Sequence, residues 1–194
     1  MFYNEGMKKG LLIVYSGPSG VGKGTILNEL MPMSELNLAY SVSMTTRKPR
    51  ENEVDGKDYF FVSKERFLQA IKDNELLEHA RFVDNDYGTP KSYVEEMRNQ
   101  GKNIILEIEV EGAKQIIQKC PDCVSIFIVP PSLEELENRI RGRKTDDEET
   151  ILKRLSKARK EIQETDLYDY VVCNEHYKDT AIEIRDIILK EMSK

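Results

Sequence analysis

Two hydrophobic patterns alternate along this chain. Short apolar runs, typical of buried strands, predict strands at 11–16, 40–43, 59–62, 76–83, 103–110, 124–129 and 170–173. Apolar residues spaced three or four apart predict helices at 23–30, 64–73, 91–100, 112–119, 133–141, 146–165 and 177–192. Strands separated by helices predict the α/β class: a mainly parallel sheet with helices on both faces, in three layers.

One segment, from about 38 to 90, departs from this alternation. It is polar, its strands are short and it contains many turn formers, so we expect a small mixed lobe inserted between the first helix and the second core strand. Residues 84–86 are predicted to form a turn.

Capping residues mark several predicted helix starts. Ser63 is a predicted N-cap, and Thr89-Pro90 has the form of an N-cap followed by a first-turn proline. Capping boxes are predicted at Ser132 with Glu135 and at Thr145 with Glu148.

A glycine-rich segment directly follows the first strand and opens the first helix. It reads Gly17-Pro18-Ser19-Gly20-Val21-Gly22-Lys23-Gly24-Thr25. Backbone amides of such a loop can surround a phosphate, Lys23 supplies a charge for the β- and γ-phosphates, and the helix dipole adds to both. We therefore predict an ATP-binding phosphate loop; the alternative is a chance glycine-rich turn.

The loop departs from the general motif at one position. Gly24 stands where Ser or Thr would hold Mg²⁺, and the hydroxyl comes one residue later, at Thr25. Direct coordination of magnesium by this loop is therefore left open.

A second cluster of cations lies in the predicted lobe, within residues 41–50. Arg47 and Arg50 are separated by Lys48-Pro49, and paired guanidinium groups suit a doubly charged phosphate. The alternative is a solvated basic loop.

Composition limits the function classes. The 194 residues carry a net charge of −6, which argues against a general nucleic-acid binder. The longest apolar runs are strand-sized and the first ten residues have no hydrophobic targeting core, so we expect a cytoplasmic protein without a membrane partner. Cys120 and Cys123 have redox or half-zinc spacing, but we interpret the pair as a structural turn between a helix and a strand.

The motifs together resemble guanylate kinase over about residues 10 to 190. They are the phosphate loop, residues 43–50, the run 56–63, Glu78, 87–89 and the arginines from Arg139 to Arg143. The resemblance implies a phosphate-loop NTPase-type fold and the reaction ATP + GMP → ADP + GDP, with Mg²⁺ accompanying ATP and dGMP as a second acceptor. It divides the single domain into a core (about 7–37, 98–138 and 159–194), a GMP-binding lobe (about 38–97) and a helical lid (about 139–158).

The resemblance also implies a GMP site. Its phosphate would be held by Arg47, Arg50, Tyr59 and Tyr87, and its base would be read by Glu78. A carboxylate accepts from both N1–H and N2–H₂ of guanine, whereas adenine presents an acceptor at N1. Ser43 and Thr89 complete the predicted base site; the alternative for Thr89 is a helix cap.

Two acids in the 103–110 strand have alternative assignments. The family commonly has Asp where this chain has Glu107 and Glu109. Glu107 resembles the strand-end acid that organises magnesium-bound water in phosphate-loop enzymes. Alternatively, either glutamate reaches the guanine.

The lid is the last element that the resemblance implies. Arginines matching Arg139, Arg143 and Arg154 close over the ATP phosphates in the family, and Asn174 matches a residue near the adenine. The alternative for the arginines is cationic decoration of a helix C-terminus.

The sequence disfavours three other functions. Another phosphate-loop kinase is disfavoured by Glu78, a non-catalytic binding module by the intact loop and arginines, and a GTPase switch by the lack of an Asn-Lys-x-Asp base reader. The predicted state is a monomer or small homo-oligomer that transfers phosphate without a dedicated general base.

Overall fold

A computed structural model describes residues 8–82, 84–142 and 147–194, with Phe82 described by its backbone. In these ranges the strands are Leu12–Ser16 (β1), Leu38–Tyr40 (β2), Ser43–Thr45 (β3), Tyr59–Phe61 (β4), Leu76–Phe82 (β5), Asn85–Pro90 (β6), Asn103–Glu107 (β7), Val124–Val129 (β8) and Tyr170–Cys173 (β9). The α-helices are Lys23–Leu30 (α1), Lys64–Lys72 (α2), Lys91–Asn99 (α3), Val110–Lys119 (α4), Leu133–Gly142 (α5), Glu148–Ile162 (α6) and Tyr177–Met192 (α7). Short 3-10 helices occupy Ser34–Leu36 and Thr165–Leu167.

The main sheet has five parallel strands in the order β2-β7-β1-β8-β9. β1 lies in the middle, where Leu12 pairs with Ile104 of β7 and Ile13 pairs with Val124 of β8. All five β1 residues are buried, as expected for a central parallel strand covered on both faces. The predicted α/β class with a parallel sheet is confirmed.

Alternate β1 side chains enter two separate hydrophobic clusters. Ile13 and Tyr15 pack in a cluster with apolar residues of α1, α5, α6 and α7. Leu12 and Val14 belong to a second cluster, which includes Val94 of α3 and residues of α4. Because successive side chains of a strand point to opposite faces, these clusters give the three-layer arrangement.

A smaller sheet of four strands, β4-β3-β6-β5, follows β2 in the chain. β3 is parallel to β4 and antiparallel to β6, and β5 is antiparallel to β6. Its own apolar cluster contains Met44, Phe67, Ala70 and Leu76. β2, which lies in the range predicted for the lobe, pairs with β7 of the main sheet instead.

The structure corrects three strand and turn predictions. The extended segment predicted at 40–43 is divided between the ends of β2 and β3, which belong to different sheets. The strand predicted to reach position 110 ends at Glu107, because Glu109 is the N-cap of α4. The turn predicted at 84–86 is wrong for its last two residues: Asp86 lies in β6, where its amide donates to the Thr46 hydroxyl (2.9 Å).

The structure confirms one predicted helix cap and corrects another. Ser63 accepts from the Arg66 amide as predicted, but Thr89 is not a cap: Pro90 is the N-cap of α3 and makes no side-chain cap bond. Thr145 lies outside the described residues, and Asp147 caps α6 by accepting from the Thr150 amide (2.8 Å).

Two smaller features complete the fold. Half of the other predicted capping box forms: Ser132 Oγ accepts from the Glu135 amide (3.0 Å), whereas the Glu135 carboxylate binds Arg139. Cys120 and Cys123 bracket the predicted turn, which is closed by a bond from the Cys123 amide to the Cys120 carbonyl (3.0 Å).

No helix in the described ranges is both long and apolar enough to cross a bilayer.

Candidate active site

The phosphate loop joins the buried end of β1 to the start of α1. Gly17, Gly20 and Gly22 have φ values of 152°, 89° and 102°, in the region that favours glycine. Gly22 is the N-cap of α1, and a Cβ there would lie 2.6 Å from Nδ2 of Asn174. These glycines explain why the chain can turn so tightly between strand and helix.

A cavity of about 270 Å³ lies against this loop. It is lined by Ser19, Gly20, Gly22, Lys23, Gly24, Thr25 and Glu107. Most of the residues predicted to bind ATP phosphates therefore surround one space at a helix N-terminus, where backbone amides and the helix dipole favour an anion.

Lys23 lies across the loop that precedes it. Its Nζ donates to the carbonyl oxygens of Gly17 (2.6 Å) and Pro18 (3.3 Å). Burial lowers the pKa of Lys23, and the negative charge of Glu107 opposes that shift. An arriving phosphate can replace the two carbonyl contacts without moving the lysine away from the loop.

Two predicted residues hold the loop from its other end. Asn174, which is 4% exposed, donates from Nδ2 to the Val21 carbonyl (2.7 Å) and accepts from Thr180 Oγ1 (3.1 Å). Arg139 donates from Nη1 to the carbonyls of Val21 (3.4 Å) and Asn174 (3.1 Å). Both side chains thus contact the phosphate loop.

A second cavity, of about 300 Å³, is lined by residues predicted for the base and for the phosphate of GMP, but not by Thr89. Its lining includes Ser43, Tyr59, Glu78, Tyr87, Glu107, Glu109 and Gly112. These residues come from β3, β4, β5, β6 and the β7–α4 junction, so the cavity is formed where the smaller sheet meets the main sheet.

Glu78 is a buried carboxylate at this cavity, with 5% of its surface exposed. Its Oε1 accepts from the Thr89 hydroxyl (2.7 Å), which explains why Thr89 does not cap a helix. Burial raises the pKa of Glu78, and the bonds from Thr89 oppose the shift. Oε2 lies so close to α4 that a Cβ on Gly112 would be 2.7 Å from it.

Arg47 is part of an aromatic cluster next to the same cavity. Its guanidinium carbon is 5.3 Å from the ring centre of Tyr59 and 5.8 Å from that of Phe61. Its Nη2 donates to Glu53 Oε1 (2.7 Å), and Tyr87 packs edge-on against Tyr59 with ring centres 6.0 Å apart. The Arg47 guanidinium is therefore held beside the cavity by the Glu53 carboxylate and the two aromatic rings.

Glu107 lies where the two cavities meet. It lines the phosphate-loop cavity and the Glu78 cavity, and its Oε2 accepts from the Tyr40 hydroxyl (3.0 Å). The position follows from the sheet: Glu107 ends β7 opposite Tyr15 of β1, next to the loop.

The donor groups at the loop cavity fit magnesium. Thr25 contributes a hydroxyl and Glu107 a carboxylate to the same lining, and Mg²⁺ prefers oxygen ligands while keeping several waters. These two residues are the ones that could hold the ion directly or through water.

A further cavity, of about 360 Å³, connects the loop residues with α6. Lys23, Glu107, Glu109, Lys157 and Glu161 are among the residues that line it. Lys157 Nζ donates to Glu109 Oε2 and lies 3.7 Å from Glu161 Oε1. Burial raises the pKa of Glu161, and the charge of Lys157 opposes that shift.

Some predicted residues lie apart from these cavities. The Arg50 side chain is exposed, although its amide donates to Glu53 Oε2 (2.8 Å). Arg154 is half-buried on α6, and Arg143 lies outside the described residues. A larger cavity of about 610 Å³, lined by residues such as Phe60 and Tyr93, includes no predicted site residue.

Sequence reasoning missed Gly112, Tyr40, Lys157 and Glu161 as residues of these cavities. One of them had a usable signal. Gly112 lies inside a helix, where glycine costs up to about 1 kcal/mol relative to alanine, so a packing reason could have been sought. Charged residues on a helix are usually solvated, and nothing in the sequence distinguishes Lys157 and Glu161 from their charged neighbours.

Comparison with known proteins supplies the family. The family model described as guanylate kinase matches residues 9–191. A guanylate kinase of Mesoplasma florum is 55% identical over 183 residues, which are 94% of this chain and 62% of that relative. A guanylate kinase of Clostridioides difficile is 53% identical over 188 residues, covering 97% of this chain and 91% of the relative.

The solved structures agree. A crystal structure of guanylate kinase from Anaplasma phagocytophilum matches with a TM-score of 0.75 at 37% identity, covering 96% of this chain and 88% of that chain. The chain spans only 62%, 61% and 61% of the length of three of its curated relatives. The profile, the relatives and the structural match nevertheless coincide over nearly the whole chain, and this chain belongs to the guanylate kinase family.

Proposed function

We propose that this protein transfers the γ-phosphoryl group of Mg·ATP to GMP, and also to dGMP, giving ADP and the corresponding diphosphate. The observation that carries the proposal is that a phosphate-loop cavity and a cavity containing a buried carboxylate share one residue, Glu107. Family membership supports the same reaction, because its curated relatives are named guanylate kinase. The reaction belongs to purine nucleotide metabolism and GMP recycling.

The donor nucleotide binds at the phosphate loop in this proposal. The loop amides and Lys23 hold the β- and γ-phosphates, and Thr25 and Glu107 hold Mg²⁺ or its water shell. Arg139, Arg143 and Arg154 add positive charge to the ATP phosphates from the lid. The engaged amide of Asn174 supports a role in fixing the loop next to the adenine site.

The acceptor binds with its base at Glu78 and its phosphate at Arg47, Arg50, Tyr59 and Tyr87. Ionised Glu78 accepts from N1–H and N2–H₂ of guanine, while Ser43 and Thr89 contact the remaining edge. Adenine would leave this buried carboxylate unpaired and facing an acceptor, which is costly. Glu107 and Glu109 line the wall between this base site and the donor phosphates.

The chemistry requires positioning and charge neutralisation. A phosphate monoanion or dianion is already a nucleophile, so no general base is needed. Bound magnesium supplies charge neutralisation at the transferring phosphoryl group. Lys23 and the arginines oppose the repulsion between two polyanions and stabilise the charge that spreads over that group in the transition state.

The test is ADP formation by purified protein with Mg·ATP and GMP, dGMP, AMP, UMP or dTMP as acceptor. We expect turnover with GMP and dGMP alone, and a loss of about 100-fold or more in kcat for Lys23→Ala. Lys72→Ala, which removes a lysine from α2, serves as the matched control. Turnover with a different monophosphate would reject the guanine assignment, and no turnover with any acceptor would reject the enzymatic proposal.

The location in the cell and the oligomeric state remain predictions. We infer a cytoplasmic protein that acts as a monomer or small homo-oligomer, on the sequence arguments given above. Cell fractionation and sedimentation of the purified chain test them separately.

A further inference from the structure

The cavity of about 360 Å³ between the phosphate loop and the acceptor site contains two lysines from different parts of the chain. Lys23 belongs to the loop, and Lys157 belongs to α6. The two ammonium groups are close enough for the charge of Lys157 to lower the pKa of Lys23. Both donor and acceptor phosphates would have to approach each other along this space.

Lys157 is positioned there by two carboxylates. It donates to Glu109 at the start of α4, and it faces Glu161 one turn further along α6. Burial opposes the charge on Lys157, but the bond to Glu109 and the charges of both glutamates outweigh it and raise the pKa of Lys157. The ammonium therefore stays charged at the cavity wall.

A neighbouring lysine shows what an ordinary helix ion pair looks like in this protein. Lys153 bonds to Glu149 across one turn of the same helix (2.6 Å), with side chains 74% and 77% exposed. Lys157 and Glu109 are 49% and 55% exposed, Glu161 is 12% exposed, and Lys157 reaches across to another element. The stability that such partly exposed pairs contribute is small, so the placement of Lys157 at a cavity shared with Lys23 calls for a different explanation.

The positions of the lysines supply that explanation. Lys23 and Lys157 line one cavity together with Glu107, Glu109 and Glu161, and each lysine can leave a neighbouring oxygen for an entering phosphate. Glu109 also lines the cavity of Glu78, so the group that holds Lys157 lies beside the acceptor. Phosphate oxygens entering this space would compete with Glu109 for the ammonium group.

We propose that Lys157 is a further residue of the phosphoryl-transfer site, which exchanges Glu109 for phosphate oxygens when both nucleotides are bound. This inference rests on the proposed function, since it assumes that two nucleotides meet at Glu107. Lys157, which belongs to α6, then adds a positive charge next to the transferring group. The shift of Lys157 from Glu109 to the phosphates also brings α6 towards the acceptor.

The test compares Lys157→Gln, Lys157→Arg and the matched control Lys153→Gln with the unaltered protein. Steady-state kinetics with Mg·ATP and GMP give kcat and both KM values for each. We expect Lys157→Gln to lower kcat by about 10- to 100-fold with smaller changes in either KM, because the contact forms mainly in the transition state. Lys157→Arg should recover part of kcat, and Lys153→Gln should resemble the unaltered protein.

A binding measurement separates a transition-state contact from a structural one. The probe is a bisubstrate analogue in which adenosine and guanosine are joined through five phosphates, titrated by calorimetry beside ADP and GMP. Lys157→Gln should weaken the bisubstrate more than either mononucleotide. A kcat equal to that of Lys153→Gln, or a raised KM for GMP with unchanged kcat, would overturn the inference; inactivity of the unaltered protein would instead overturn the proposed function.

Discussion

At the scale of single residues, the surroundings of Glu78 matter most for the proposed specificity. The carboxylate is buried, bonded to Thr89 on one oxygen and packed against Gly112 at the other. Burial makes ionisation of Glu78 unfavourable. Without nucleotide, the carboxylate has remaining capacity to accept hydrogen bonds, which guanine donors can fill. Stability and recognition are therefore linked through one side chain.

Replacing Glu78 with Gln should change how stability depends on pH. Because the pKa of Glu78 is raised in the folded state, its stabilising contribution is complete below the unfolded pKa and is lost as pH rises through the folded pKa. Glu78→Gln lacks this loss. The stability of Glu78→Gln relative to the unaltered protein, measured as the difference in free energy of unfolding, should therefore be higher at about pH 7 than at about pH 4.

Urea denaturation of both proteins at the two pH values measures this difference. All other titrating groups are shared, so their contributions cancel in the comparison to first order. A difference that stays constant with pH, or that grows towards acid, would contradict the buried environment described for Glu78.

Adding one methyl group at Gly112 should damage acceptor binding selectively. The Cβ of Ala would lie 2.7 Å from Glu78 Oε2 and 3.2 Å from its Cδ, so the carboxylate must shift. We expect Gly112→Ala to raise KM for GMP by about tenfold, equivalent to about 1.4 kcal/mol, with little change in KM for ATP. Initial-rate kinetics with each substrate varied in turn provide the measurement.

The control for that substitution is Gly142→Ala, at the end of α5. A Cβ at Gly142 meets no atom of the described residues within 4 Å, so neither KM should change. An unaltered KM for GMP in Gly112→Ala would show that the close approach of α4 to Glu78 has no role in recognition.

At the scale of elements, β9 and α7 support the phosphate loop through Asn174. The amide of Asn174 follows the end of β9 and joins the Val21 carbonyl to the Thr180 hydroxyl of α7. Elements distant in sequence thereby fix the N-terminus of α1. Buried amides with both ends satisfied are costly to remove, because their partners are left without a bond.

Asn174→Ala should therefore affect both stability and the donor site. Loss of the two buried bonds should lower the free energy of unfolding by about 1–3 kcal/mol. KM for ATP should rise and KM for GMP should stay close to its original value. The exposed Asn28→Ala on α1 is the control, and equal effects of the two variants on KM for ATP would disprove the bracing role.

The elements themselves could largely be predicted from the sequence, since their signals are local. β8, β9, α1 and α7 match their predicted ranges, because apolar runs or periodic stripes there are bounded by clear turn residues. Caps were less predictable. Thr89 precedes a proline like a cap, but a buried carboxylate from another strand competes for its hydroxyl, and only the tertiary structure reveals that partner.

At the scale of the whole molecule, the candidate site is divided among separate parts of the fold. The acceptor residues Arg47 and Tyr59 belong to the smaller sheet, Lys23 to the loop and Lys157 to α6. In-line transfer needs these parts together and water excluded, since water would otherwise accept the phosphoryl group. We therefore predict that the 38–90 lobe and the 139–158 lid close on the two nucleotides.

Small-angle X-ray scattering can test this closure. The radius of gyration should fall when GMP and a non-hydrolysable ATP analogue are bound together, and it should fall less with either nucleotide alone. The same radius with and without both nucleotides would show that the protein works without closing.

The site as a whole was only partly readable from the sequence. The phosphate loop is contiguous, so its spacing predicts it, and Glu78 was named through family resemblance. The contacts of Gly112 with Glu78 and of Lys157 with Glu109 join segments that carry no mutual sequence signal. Such contacts depend on how helices pack on the sheet, which hydrophobic periodicity does not specify in detail.

The most direct test of the central claim is calorimetric titration of the protein with GMP, IMP and AMP. IMP lacks the 2-amino group of guanine, and AMP places an acceptor at N1. If Glu78 reads the base, GMP should bind most tightly, IMP more weakly, and AMP at least about 100-fold more weakly than GMP. Equal affinities for GMP and AMP would contradict the account, because the buried carboxylate would then have no part in choosing the acceptor.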